Sequence, residues 1–167
     1  MSRALLVIDV QRDYFPGGLL PLWNAEETEA RIIAAIARAS VAGEKIVLVQ
    51  HLSTATTGLF AAGTAGRELR PEIVAAVPQA PVVVKHCADS FQDTALVEHL
   101  TDVTELLVCG MMTQNCVVFT ALSRSADHLT VSVVDDLCAA PTETVHRIAI
   151  NALRSKTHVI SSAEAFS

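Results

Sequence analysis

Short apolar runs rich in branched residues alternate with segments of helical periodicity, and this alternation restricts the possible folds most strongly. The runs predicted as strands are 4–10, 45–50, 81–85, 105–109, 129–134 and 157–160. Continuous apolar runs are typical of parallel strands covered by helices on both faces. The segments predicted as helices are 25–41, 68–77, 93–100, 114–126 and 141–153. The pattern predicts one α/β domain over residues 1–167, a Rossmann-like, three-layer doubly wound sheet of about six mainly parallel strands.

The ends and faces of these elements are also predicted. Asn24 is expected as the N-cap of the first helix. Asp135 and Asp136 are expected to close the fifth strand and to fix the following loop through backbone N–H groups. The chain after residue 160 is expected to fray. The apolar stripe of the last long helix is predicted to consist of Val145, Ile148, Ala149 and Ala152.

Charge and cysteine usage restrict the partners of the protein. The formal net charge is -6 and no run of Lys or Arg occurs, which argues against nucleic acid or an anionic membrane and favours a small-molecule substrate. The first apolar run is too short to span a bilayer and no signal-peptide pattern follows it, so a cytoplasmic location is expected.

The cysteines form no CxxC pair or zinc-finger spacing, so neither disulfides nor a structural metal are indicated. They are Cys87, Cys109, Cys116 and Cys138.

Three ionisable side chains follow predicted strands. Asp9 and Lys85 end the first and third strands, and Cys116 comes shortly after the fourth. Each has an ordinary structural interpretation, respectively as a loop cap, as the first solvated residue after a strand, and as a small buried apolar group. Together they lie at the carboxyl ends of parallel strands, where ligands bind in such folds. The sequence therefore predicts that acid, ammonium and thiol form one site.

This combination of groups suits acyl transfer. A helix N-terminus and the Lys85 ammonium are expected to favour the thiolate of Cys116, which is the nucleophilic form. The Asp9 carboxylate is able to take the thiol proton and return it to a leaving amine. The predicted chemistry is attack on an amide by cysteine, followed by hydrolysis of a thioester.

Four sequence blocks carry a family resemblance: ALLVIDVQRDYFPGG, VVVKHCADSFQDTAL, VCGMMTQNCV and VVDDLCAA. In these blocks and their order, the chain resembles the isochorismatase-like cysteine hydrolases, which include nicotinamidases, N-carbamoylsarcosine amidase and ureidoacrylate amidases. The resemblance implies Cys116 as nucleophile, Asp9 as general base and acid, and Lys85 as third member of the triad. It also implies a cis peptide between Met111 and Met112, with the backbone N–H groups of Met112 and Cys116 as oxyanion donors.

Further residues are predicted to contact the substrate. The aromatic residues among them have an alternative role in holding loops in place. The histidine has an alternative role as a structural group whose hydrogen bonds are satisfied within the protein. The predicted set is Gln11, Tyr14, Trp23, His51, Phe91 and Thr113.

The departures from the family pattern narrow the expected chemistry. Nicotinamidases carry a metal-binding Asp-x-His pair after the second strand, where this chain reads VQHLS around His51. No metal or cofactor is therefore expected. The main argument for a pyridine substrate, which is this metal site, is also absent. Isochorismatases proper tend to lack the cysteine, so Cys116 favours cleavage of an amide or ureido C–N bond. A catalytically idle binding protein and an isochorismatase-type ether hydrolase remain alternatives. A homo-oligomer, dimer or tetramer, is expected because family members commonly assemble.

Overall fold

Six parallel strands in one sheet organise the chain, whose computed structural model describes residues 2–167. Residue 1 of the predicted domain 1–167 lies outside the described residues. The strands are β1 (Arg3–Ile8), β2 (Lys45–His51), β3 (Val82–Lys85), β4 (Glu105–Met111), β5 (Thr130–Ala139) and β6 (His158–Ile160). Their order is β3-β2-β1-β4-β5-β6, and every neighbouring pair is parallel. This confirms the predicted doubly wound sheet, whose direction of winding reverses between β1 and β4.

Helices cover both faces of the sheet. They are α1 (Ala25–Val41), α2 (Pro71–Ala76), α3 (Leu96–His99), α4 (Val118–Ala121), α5 (Glu143–Arg154) and α6 (Ser162–Ala165). Buried side chains of α1, α2 and α6 belong to the hydrophobic cluster on one face, and those of α3, α4 and α5 to the cluster on the other. Consecutive strand residues such as Leu5 and Leu6 enter opposite clusters. The strands are therefore apolar on both faces, as their sequences indicated. No helix within residues 2–167 has the length and apolar composition needed to cross a bilayer.

The fifth strand is longer than predicted. Asp135 and Asp136 do not end β5 but lie within it, because β5 continues to pair with β4 up to Met111 and Ala139 after a shift in register. Its pairing with β6 stops at Val134. Asp136 accepts hydrogen bonds from the backbone N–H and the hydroxyl of Ser162 at 2.7 and 2.6 Å. This carboxylate thereby holds the first turn of α6, in the loop-fixing role that its sequence position indicated.

The predicted helix over 114–126 is shorter and less regular than expected. A π-type turn over Thr113–Val117 precedes the one-turn helix α4, and a separate 3-10 turn follows over Arg124–Ala126. Ser123 breaks the segment because its backbone is extended and its side chain accepts from the N–H of Ser125. The predicted helix over 93–100 is likewise reduced to the four residues of α3.

The start of the first helix and the C-terminal tail also differ from the prediction. Asn24 adopts a left-handed conformation with φ 60° and makes no side-chain cap, although its carbonyl accepts from the N–H of Thr28. The chain after residue 160 does not fray, because Ser161 and Glu164 form a reciprocal capping box that starts α6.

The apolar face of α5 is rotated from the predicted stripe. Ile148 is 66% exposed and Ala152 is also exposed, whereas Ala149, Ile150 and Leu153 are buried. The sequence pattern missed this rotation because α5 carries apolar residues around more than one face.

Gly110 allows β1 and β4 to approach closely beside the site. Its φ is +116°, and a Cβ atom there would lie 2.1 Å from the carbonyl oxygen of Ile8. Only glycine meets both conditions without displacing the backbone.

We predict that Gly110→Ala destabilises the protein by about 2 to 4 kcal/mol, since it combines a left-handed backbone with a backbone clash. Gly58→Ala is the matched control, because Gly58 has φ +90° but nothing within 4 Å of the added carbon; it should cost about 1 kcal/mol. Urea unfolding measures both free energies. Equal losses would show that the approach to Ile8 is not limiting.

Candidate active site

Four adjacent strand ends supply one cluster of polar side chains. Along the sheet they are Lys85 at the end of β3, His51 at the end of β2, Asp9 directly after β1, and Cys116 on the turn after β4. The structure brings the predicted Asp9, Lys85 and Cys116 together, and it inserts His51 between the lysine and the aspartate strands. His51 and Lys85 are direct neighbours in the β2–β3 ladder.

The Lys85 ammonium is the centre of this cluster. The side chain is fully buried. Its Nζ lies 2.8 Å from His51 Nδ1, 3.0 Å from the carbonyl oxygen of Cys87, 3.2 Å from Cys116 Sγ and 3.0 Å from Asp9 Oδ2. A lysine ammonium has three N–H donors, so one of these four neighbours receives no hydrogen bond from it.

The neighbour without a hydrogen bond is Asp9. Lys85 Nζ has donor geometry toward His51, Cys87 and Cys116. Neither carboxylate oxygen of Asp9, which is fully buried, has a hydrogen-bond partner among the described residues. Lys85 and Asp9 therefore meet as an ion pair, with Nζ 3.0 Å from Oδ2.

Burial sets the protonation of the resting site. It raises the pKa of Asp9, and the nearby positive charge of Lys85 opposes this shift without cancelling it. Burial and then the negative charge of Asp9 raise the pKa of the Cys116 thiol to about 12, again against Lys85. Burial thus opposes the thiolate that the Lys85 ammonium was expected to favour. A carboxylate with a raised pKa beside a thiol is suited to remove its proton during reaction.

Asp9, His51 and Cys116 form the only group of His, Cys, Asp and Glu side chains within residues 2–167 that is arranged to hold a metal ion. Their ligand atoms lie within 4.8 Å of one another. All three atoms surround Lys85 Nζ at 3.0, 2.8 and 3.2 Å. The ammonium occupies the position that a metal ion would take, so these donors do not fit a metal while the lysine is present.

The backbone after β4 shapes the position of the thiol. The peptide bond between Met111 and Met112 is cis, at the position that the resemblance implied. The carbonyl oxygen of Met112 accepts from the N–H groups of Asn115 and Val117 at 3.1 and 3.3 Å. These bonds close the π-type turn that carries Cys116, which is only 3% exposed.

Aromatic side chains pack beside the cluster. Tyr14 is 1% exposed, and its ring meets that of Phe60 edge-on with centroids 4.9 Å apart. His51 lies 5.8 Å from the same Phe60 ring. Burial and then the negative charge of Asp9 raise the pKa of the Tyr14 hydroxyl. Sequence reasoning missed Phe60 because it lies in a polar loop without a recognisable motif.

Gln11 has a structural role, and its predicted contact with substrate stays a prediction. Its Nε2 donates to the carbonyl oxygens of His51 and Arg67 at 2.8 and 2.7 Å. Its Oε1 accepts from the N–H of His51 at 2.9 Å. The fully buried amide thus holds both backbone groups of His51, and no donor of its side chain remains for a ligand.

Thr113 and Trp23 are connected through His146, which sequence reasoning also missed. Thr113 is fully buried, and its hydroxyl lies 2.8 Å from His146 Nδ1. The ring of His146 lies 5.7 Å from that of Trp23. Trp23 lines a surface cleft of about 470 Å³ together with Asp135 and Arg154, and the catalytic trio does not line it. Substrate contact by Thr113 and by Trp23 stays a prediction.

Phe91 belongs to the same buried cluster as Cys116 and is 6% exposed. Its loop is held by the N–H of Phe91, which donates to Asp89, and by the N–H of Ser90, which donates to the Thr120 hydroxyl at 2.9 Å. The first bond lies within the loop after Lys85, and the second fastens this loop to α4. Substrate contact by Phe91 stays a prediction.

Comparisons with known proteins agree with this site and fold. The family model of the isochorismatase domain matches residues 3–165. An uncharacterized isochorismatase family protein of Bacillus subtilis, YddQ, is 34% identical over 99% of both chains. A streptothricin hydrolase of Streptomyces noursei is 36% identical over 71% of this chain and 47% of its own length. An isochorismatase family protein from Desulfovibrio vulgaris superposes with a TM-score of 0.89 at 28% identity, covering 98% of this chain and 96% of its own.

The fold is a doubly wound α/β domain, and the polar cluster lies at the carboxyl ends of its strands. The chain belongs to the isochorismatase family of hydrolases.

We predict a pH-dependent contribution of His51 to stability. Burial and the charge of Lys85 lower the pKa of His51 from 6.5 to about 4. Between these pH values the unfolded imidazole binds a proton that the folded one does not, so stability rises as the pH rises through this window. His51→Asn removes this gain. His146, whose pKa burial also lowers, keeps its own contribution in both proteins.

The measurement is the urea unfolding free energy of wild type and His51→Asn at about pH 4.5 and about pH 7. The wild type should gain more stability than the variant between the two conditions. Equal gains would mean that His51 is not held neutral in the folded protein.

Proposed function

We propose that the protein is a cysteine hydrolase that cleaves an amide or ureido C–N bond of a small metabolite through a thioester. The observation that carries this proposal is the buried Lys85 ammonium, which contacts the Cys116 thiol and the Asp9 carboxylate at the same time. A buried charge cluster of this kind is costly unless it is paired, and its position at the switch point of the sheet is where such folds bind ligands.

In the first half-reaction, Cys116 Sγ attacks the carbonyl carbon of the substrate while the thiol proton passes to Asp9. The negative charge on the carbonyl oxygen is received by the backbone N–H groups of Met112 and Cys116. Asp9 then gives its proton to the leaving nitrogen, the C–N bond breaks, and amine or ammonia departs from a thioester. The raised pKa of Asp9 suits this, because a carboxylate that accepts a proton readily also carries it to the leaving group.

In the second half-reaction, Asp9 removes a proton from water, and the resulting hydroxide adds to the thioester carbon. The C–S bond breaks, the sulfur regains the proton from Asp9, and the acid product leaves. The Lys85 ammonium offsets the negative charge as that charge moves from the carboxylate to the sulfur and back.

The burial of the site favours a small substrate. Cys116 is 3% exposed and Lys85 and Asp9 are fully buried, so the peptide bond of a folded protein cannot reach the sulfur. Streptothricin hydrolase, a relative over 71% of this chain, is named for hydrolysis of a small molecule. No metal or other cofactor takes part in the proposed reaction.

We predict that Cys116→Ala lowers kcat for any small amide or ureide that the wild type hydrolyses by about 10⁴-fold or more, since no thioester forms. A screen of such compounds that detects released ammonia or amine supplies the substrate. Mass spectrometry of the acid-quenched wild type should then show an acyl adduct on Cys116.

Cys138→Ser is the matched control, because Cys138 is also buried and its sulfur donates only to the carbonyl oxygen of Val134. It should retain turnover. Turnover that survives in Cys116→Ala would contradict the proposal and favour ether hydrolysis by proton transfer. A wild type that hydrolyses nothing in the screen and forms no adduct would favour an idle binding protein.

A further inference from the structure

We propose that His51 is a positioning residue which assigns the three N–H donors of Lys85, so that one points at Cys116 and none is bound to Asp9. The inference rests on the proposed thiol chemistry, and it goes beyond it because it explains why the carboxylate remains a competent base beside an ammonium. The observations that carry it are the four neighbours of Lys85 Nζ and the missing hydrogen bond at Asp9.

The first step concerns donor number. His51 Nδ1 and the carbonyl oxygen of Cys87 accept two of the N–H donors, at 2.8 and 3.0 Å. The third points at Cys116 Sγ at 3.2 Å. Because all three are used, Asp9 Oδ2 at 3.0 Å receives only the charge of the ammonium.

The second step concerns the state of the imidazole. Nδ1 accepts a hydrogen bond from the ammonium only if it carries no proton, so His51 is neutral with its proton on Nε2. The lowered pKa of His51, about 4, agrees with this state.

The third step concerns rigidity. Gln11 binds both the N–H and the carbonyl of His51, and the imidazole packs at 5.8 Å from the Phe60 ring. His51 also lies opposite Lys85 in the β2–β3 ladder. The acceptor is thus fixed in place on a strand, as a positioning group requires.

Removal of this acceptor frees one N–H of Lys85, and the nearest unfilled acceptor is Asp9. A hydrogen bond from the ammonium stabilises the charged carboxylate, so it lowers the pKa of Asp9 and weakens it as a base. Cys116 then loses its proton less readily. The titratable and charged groups that face this cluster from the packed elements are Asp9, Asp13, Tyr14, Lys85, His86 and Cys116.

The test is the rate at which iodoacetamide alkylates Cys116 between about pH 5 and about pH 9, followed by peptide mass spectrometry that separates Cys116 from the other cysteines. This probe needs no known substrate. In His51→Leu, which keeps an apolar group against Phe60, the rate at neutral pH should fall by about 10- to 100-fold, the usual effect of losing an orienting partner. The acid limb of the profile should move to lower pH.

His51→Asn is the conservative variant, because its Oδ1 atom stands near the position of Nδ1 and accepts the same N–H. It should keep the rate within about threefold of wild type. His86→Leu is the matched control on the neighbouring residue, whose ring lies 2.7 Å from the carbonyl oxygen of Leu52, and it should leave the rate unchanged. Thermal unfolding of each variant checks that it is folded.

Two results would overturn the inference. One is an unchanged rate in a folded His51→Leu, which would show that Lys85 does not depend on this acceptor. The other is a folded His51→Asn that is as slow as His51→Leu, which would show that ring packing and not Nδ1 is what matters. Failure to find an amide substrate affects neither readout, so failure of the proposed function is distinguished by the Cys116→Ala turnover experiment.

Discussion

A lysine ammonium buried without access to water is the constraint on which this site depends. The cost of removing such a charge from water is offset only by close acceptors and an opposite charge. Lys85 finds them at four strand ends, and each acceptor comes from a different part of the chain. The geometry of the site therefore depends on the register of the strands.

The same ammonium interacts with its neighbours in two different ways. It donates hydrogen bonds to neutral acceptors and to sulfur, and it forms an ion pair with Asp9. A hydrogen-bonded carboxylate would be a weaker base, and an unpaired one would not stay ionised in an apolar core. The arrangement lies between these two extremes. It raises the pKa of Asp9 without exposing the carboxylate to water.

The sequence alone predicted the sheet and the three chemical groups because continuous apolar runs and strand-end charges are local signals. The conformation of residues 113–126 was not predictable in this way, since Ser123 ends the helix through its own backbone geometry. The role of Gln11 was missed because a buried amide bound to backbone looks the same in sequence as one that binds substrate. The protonation of Cys116 depends on burial, which periodicity does not measure at a turn.

The raised pKa and low exposure of Cys116 also bear on its fate under oxidising conditions. Peroxides attack thiolates and act fastest on exposed ones. A thiol whose pKa is about 12 and which is 3% exposed is a poor target, whereas Cys87 is only partly buried. In the proposed reaction, Cys116 becomes reactive when Asp9 takes its proton with a substrate in place. In the resting protein, the burial that makes Cys116 depend on Asp9 for deprotonation also protects the thiol from oxidation.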